Sequence, residues 1–423
     1  MSAATGFLVV PREGEQLTAR VLRKSRLLGA RALLTLPSRG LPPSLAGAST
    51  QLRRALKTLL GAAPEETLRA LGAPEVVPWL GCVVRGSLPL DEGLRGLVPP
   101  LMVELGTTVP RPALERMGQL LWDVPVERLA DPQRGGELRF DGPAAGLLLD
   151  ATGVELRDRS GALHALADLP VERTLHDVGP LPGRLALRDA NPLFALEAHP
   201  DKQGNAVDLG DRSVDAWTSA LADALAAVEA AVPALAAEMR ESLCRILPVG
   251  HDERVHMSAS YVEAPGTVYL SLHPSTLTLA EALIHETQHG KLNALRWLDP
   301  LLTNDRSETV VSPIRPDPRP VEGVLLAAHA FVPVALLHQR LAEQQHPLTR
   351  NPAFDRRRAE VLATNSDALR TLHRFGRWTP QGVRVFEALQ SVHDETVLAA
   401  DDALLRPIRI DAAAMLTPSP PTP

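Results

Sequence analysis

The chain has almost no cysteine, no excess of positive charge and no long apolar run, and each lack closes off a class of protein. Cys82 and Cys244 are its two cysteines. They lie far apart and neither belongs to a C-x-x-C pair, so no disulfide framework is available and a reducing compartment fits. The formal net charge of -6 gives no broad basic surface to grip nucleic acid through general electrostatics. No stretch of about 18 uninterrupted apolar residues occurs, so no membrane span is expected. The opening residues, MSAATGFLVVPREGE, have no basic n-region and only a short apolar patch, unlike a secretory signal. These lacks lead to the expectation of a cytoplasmic protein with no nucleic-acid or membrane partner. Histidine is scarce too, and none precedes His164, so the first third of the chain offers no catalytic cluster.

What is present is apolar material for a core. Hydrophobic residues make up 45% of 423, enough for two or three globular domains. The 38 prolines imply many loops or short helices. Leu17 to Leu28 and Thr50 to Leu60 have helical periodicity. Pro64-Glu65-Glu66 puts proline and acid where a helix start favours them, and Leu114 to Leu121 reads as a further short helix. Near residue 136 the pattern changes. ELRFDG and GLLLDATGVELRDRSGALHAL alternate around turn residues, which suggests short antiparallel strands. GRLALRDANPLF, Gly183 to Phe194, reads as a strand and turn, and Pro200 to Asp211 as a polar loop. Ser213 to Leu247 reads as a long Ala-rich helix broken at Pro233. Val255 to Leu272 reads as a hairpin turning at Glu263-Ala264-Pro265-Gly266. The expected fold class is α+β, predominantly α-helical, with small antiparallel β elements preceding a metal-binding helix. The expected domains are a helical module at 1–135, a metal-binding catalytic domain at 136–415 and a disordered tail at 416–423.

The metal-binding helix is expected in Leu277 to Leu301. It carries His285, Glu286 and His289 as H-E-x-x-H. Residues four apart stack on one helix face, so the two imidazoles can aim at one ion with Glu286 beside it. A chance match is expected in roughly one chain in fifty of this composition. Thr278 and Glu281 have capping-box spacing, and Pro300 stops the run. Two histidines need a third ligand. His329 is the first histidine after the motif, inside the apolar helix Gly323 to Gln345 that Pro333 should kink. Glu308 and Glu322 compete with it. The stretch that contains both, Ser307 to Gly323, holds three prolines in five residues. Such a stiff loop could present Arg315 and Arg319 to a carboxylate, or be a plain turn whose Arg and Asp pair with each other. Pro352 to Ile410 reads as helical, with Ala363 to Phe375 and Gly382 to Ala400 as its main elements.

Two chemistries fit such a helix. A zinc peptidase uses the Glu as base for a metal-bound water. A non-haem iron oxygenase leaves open positions for a 2-oxoacid and O₂. Leu292 and Leu295 stand where a metzincin needs Gly and His, which excludes that form. The hairpin before the helix could also add an extended peptide by its edge.

Three segments in order, SASYVEAPGTVYLSL, LAEALIHETQHGKLNAL and RPDPRPVEGVLLAAHAFVPVA, resemble the H-E-x-x-H motif-containing peptide-modification proteins. These accompany ribosomally made, post-translationally modified peptides. RDANPLF, the helix from Ser213 and RWTPQGVRVFEAL (Arg377 to Leu389) are similar as well, so the resemblance covers roughly residues 184 to 390. It implies an Fe(II)- and 2-oxoglutarate-dependent dioxygenase that hydroxylates a β-carbon in a ribosomally made peptide. His285 and His289 match the metal ligands and Glu286 the motif's acid. Arg315 and Arg319 match the R-x-D-P-R-P loop, whose arginines could hold the 2-oxoglutarate carboxylate. His329, where some members carry Tyr, is the expected third ligand, and Glu322 the next choice. The alternatives are a zinc-dependent peptidase acting on a precursor peptide and a non-catalytic peptide-binding protein with a structural metal.

Overall fold

A computed structural model describes residues 8–11, 17–37, 39–196, 206–313 and 317–400. Arg315 and the expected tail lie outside the described residues. The fold is α+β and predominantly helical, with small sheets ahead of the H-E-x-x-H helix. The first stretch is helical: α1 Leu17–Thr35, α2 Pro43–Ala62, α3 Pro64–Leu71, α4 Val77–Arg85, α5 Leu90–Thr108 and α6 Arg111–Met117. The helix expected to reach Leu121 stops at α6, because Gly118 takes φ +80 and a strand follows.

The strands are β1 Leu120–Trp122, β2 Ala130–Asp131, β3 Gly136–Leu138, β4 Gly146–Asp150, β5 Gly153–Arg157, β6 Leu163–Ala165, β7 Val171–Arg173, β8 Leu175–Val178 and β9 Leu181–Ala186. After α7 Pro192–Leu196 come α8 Val214–Ala231 and α9 Pro233–Ser242, with the break at Pro233. The expected helix to Leu247 is corrected here: the chain leaves α9 and forms β10 Arg245–His251. Its run Arg245 to Pro248 is buried throughout, as a strand inside a sheet requires. The hairpin is present as β11 Ser258–Ser260 paired antiparallel with β12 Thr267–Leu272. The sheet order is β11-β12-β10-β9-β8, and β10 pairs parallel with both β12 and β9.

The remainder is α10 Thr276–Arg296, the short pair β13 Thr309–Val310 and β14 Arg319–Pro320, then α11 Val321–Glu343, α12 Phe354–Phe375 and α13 Pro380–Leu398. The chain divides into two compact units. A sheet unit holds Arg20–Ser219 and Leu243–Leu272. A histidine unit holds Met1–Ala19, Ala220–Ser242 and His273–Pro423. The expected division at 135/136 coincides with none of the four points where the chain passes between the units. In the sheet unit one core joins Leu45, Leu56, Leu97 and Leu101 of the helices to Trp122, Leu147 and Leu149 of β1 and β4. The apolar face of those strands needs a cover, and α2 and α5 supply it.

In the histidine unit α11 packs on α10, α12 and α13. It is apolar nearly all round, with Val324, Leu325, Ala328, Val332 and Leu336 buried, which suits the centre of a bundle. By length and composition it could also cross a membrane, and 72% of its most apolar window is buried inside the structure.

The chain between α10 and α11 is clasped to the start of α13. Thr379 N–H donates to the Leu301 carbonyl (3.0 Å) and Thr303 N–H to the Arg377 carbonyl (2.7 Å). The Thr379 hydroxyl donates to Asp299 (2.6 Å) and Asn304 Nδ2 to the Phe375 carbonyl (2.9 Å). Gly382 sits so tightly that a Cβ there would lie 1.9 Å from the Leu301 carbonyl oxygen. The RWTPQG stretch is therefore a packing seat for the loop that leaves the histidine helix.

Candidate functional site

The helix α10 starts differently from its sequence reading. Ser275 is the N-cap, accepting from the Thr278 backbone N–H at 3.2 Å. Glu281, expected in the capping box, is instead buried inside the unit. Leu279, Leu283, Ile284 and Leu292 are buried along α10. That packing fixes which face carries the motif.

On that face the rings of His285 and His289 lie 4.4 Å apart, edge to face at 79°. Two imidazoles sharing one ion through bonds of about 2.1 Å have ring centres roughly 4.5–5 Å apart. Glu286 is 3% exposed and its Oε1 lies 4.0 Å from His285 Nε2. Burial lowers the pKa of His289, while the charge of Glu286 acts the other way. A lowered pKa favours the neutral imidazole, the form that binds a metal. The Nδ1 of His289 is buried and has no hydrogen-bond partner among the described residues. The pair fits a divalent ion as two of its ligands.

The facing helix is α11. His338 Nε2 contacts Glu281 at 2.8 Å, Phe331 meets His285 at 4.6 Å, and the His329 ring lies near the backbone of Gln288. Contacts that advance along α10 retreat along α11, so the two helices run antiparallel. His329 is fully buried, and burial, then the charge of Lys291, push its pKa down to about 3. The carbonyls of Leu8 and Gln288 lie close enough to oppose that shift, yet neither ring nitrogen makes a hydrogen bond to a described residue.

Among the described residues no three His, Cys, Asp or Glu side chains are arranged to hold one ion. His329 therefore does not join His285 and His289 in a three-ligand set here, although it neighbours His289. Its surroundings are a buried polar seam. Lys291 Nζ reaches Glu238 Oε1 at 2.7 Å and donates to the Val9 carbonyl at 3.3 Å. Thr18 donates to the same carboxylate. The competing carboxylates are engaged elsewhere. Glu322 pairs with Arg296 and Arg306. Glu308 pairs with Arg377 and accepts from the Asp305 N–H.

Of the two loop arginines, Arg319 pairs with Asp317 at 2.8 Å, and Arg315 lies outside the described residues. No family model matches the chain, and no curated protein matches it.

Several residues near the pair carry no signal in the sequence. Glu281 accepts from His338 and from both Nε and Nη2 of Arg357, at 2.9 and 2.6 Å. Burial raises its pKa, but His338 and Arg357 together outweigh burial and leave it lowered. Phe331, on the wall opposite His285, is one of seven phenylalanines. Nothing in its spacing sets it apart from the rest.

Proposed function

We propose that this chain is a metal-dependent enzyme that modifies a ribosomally made peptide, by Fe(II)/2-oxoglutarate-dependent β-hydroxylation. The supporting observation is the facing pair His285 and His289 on a buried helix. The choice of reaction and substrate rests on the resemblance of residues 184 to 390, and a cytoplasmic location is part of the same reading. The two imidazoles would bind the ion. Glu286, next to His285 in the chain and three residues before His289, would accept a hydrogen bond from a bound group or from the peptide and so orient it. Phe331 of α11 covers one side of the His285 ring. The ion, with 2-oxoglutarate as the reducing co-substrate and O₂ as the oxidant, would supply the oxidising chemistry that the side chains lack.

The test is metal analysis of the full chain purified without oxygen, followed by succinate release from 2-oxoglutarate once O₂ is admitted. The expected result is iron at one per chain and succinate formation without added peptide at a low rate. His285→Ala and His289→Ala should each weaken metal binding by more than the roughly 10–100-fold that losing an outer-shell partner costs. Glu286→Gln should keep the metal and lose turnover. Zinc with cleavage of a precursor peptide would replace this reading by the peptidase. Metal content untouched by either alanine variant would overturn the site altogether.

A further inference from the structure

We propose that Phe331 is a positioning residue for His285, held in place from α12 by Asn365. The inference rests on the metal-binding reading of the pair above. A helix fixes where a histidine leaves the backbone but not where its ring nitrogens point, because the outer side-chain torsion is broad. His285 meets two rings, His289 at 4.4 Å and Phe331 at 4.6 Å, both in T-shaped contact. The second contact comes from another helix and limits the imidazole to orientations that clear the Phe331 ring.

Phe331 sits where α11 is locally weakened. Pro333, two residues on, has no N–H to give to the carbonyl one turn back. The carbonyl that loses its donor is that of His329, and Asn365 adds a bond from outside the helix two residues further on. Its Nδ2 donates to the Phe331 carbonyl at 3.0 Å, and the side chain is 1% exposed. The amide thus ties the backbone that carries the ring, and the ring limits the imidazole. Pre-organisation of a ligand by packing around it is what such a wall contributes.

The experiment titrates Co(II) alone into the metal-free full chain and reads both the dissociation constant and the visible absorption of the bound ion. Phe331→Leu keeps apolar bulk and removes the ring. It should bind Co(II) about 3–10-fold more weakly, the range expected for one aromatic pair, with a changed absorption band. Phe331→Tyr keeps the ring and should restore both readouts. Asn365→Ser should shift both in the direction of Phe331→Leu while circular dichroism stays that of the wild type. Phe331→Leu with wild-type affinity and spectrum, beside a His289→Ala chain that has lost cobalt, overturns the positioning role and leaves the metal pair standing. A wild-type chain that takes up no cobalt overturns both.

Discussion

Replacing His329 by Leu separates a ligand from a buried neutral base. In the folded chain burial, with Lys291 nearby, holds the His329 pKa at about 3, against about 6.5 in an unfolded chain. The unfolded state therefore takes up a proton as the pH falls through 6.5, and the folded state does not until near 3. Stability from this group is fully present above pH 6.5 and drains away as the pH falls from 6.5 towards 3. At pH 5 the difference is about 1.5 pK units, or about 2 kcal/mol at 1.36 kcal/mol per unit. Leucine keeps the buried bulk and cannot titrate. Urea unfolding of both chains in EDTA, at pH 8 and pH 5, measures the effect, and groups common to both cancel in the comparison. The wild type should lose about 2 kcal/mol more than His329→Leu between the two pH values. Equal losses would refute the buried-base argument. The same variant should still take up Co(II) at pH 8 within about threefold of wild type. Loss of cobalt as complete as in His289→Ala would make His329 a ligand after all.

Two further substitutions test the frame that carries the pair. Gly382→Ala drives a Cβ to 1.9 Å from the Leu301 carbonyl oxygen. It should cost about 3 kcal/mol, seen as a fall in the thermal midpoint, and an unchanged midpoint would show that the clasp yields freely. Lys291→Met leaves Glu238 buried without its cation and should cost roughly 3–5 kcal/mol in urea unfolding. Adding Glu238→Gln should recover much of that loss, and no recovery would mean that the two groups are not coupled.

The parts of the fold that were legible in the sequence are those set by local pattern. The helical first third, the hairpin at β11 and β12, the break at Pro233 and the long helices α10 to α13 follow from periodicity and proline placement. What was not legible depends on partners distant in the chain. The run Arg245 to Leu247 fits a helix end as well as a strand, and only parallel pairing with Val268, Tyr269 and Leu185 makes it β10. The domain boundary expected at 135 followed a change in pattern. Cores follow apolar faces instead, and Trp122, Leu147 and Leu149 bind the two patterns into one. At the start of α10, three hydroxyl residues, Ser275, Thr276 and Thr278, all suit a cap. Ser275 takes the role, and Glu281, one turn in, is drawn away by His338 and Arg357.

The same distinction explains why half of the candidate site could be read and half could not. His285 and His289 face one way because four residues make about one turn of α-helix, a relation internal to one element. A third residue depends on how α11 is rotated against α10, and no spacing within either helix states that angle. The turn of α11 that meets the pair does contain His329. Yet Phe331 makes the ring contact with His285, and two residues along a helix are about 200° apart around its axis. Once Phe331 faces His285, His329 is turned away from that ring, towards His289, Gln288, Lys291 and the segment at Leu8. The histidine picked by order in the sequence, His329, and the residue that meets His285 in space, Phe331, then differ by about half a helical rotation. That rotation is set by which apolar side chains of α11 fill the gaps on α10, α12 and α13.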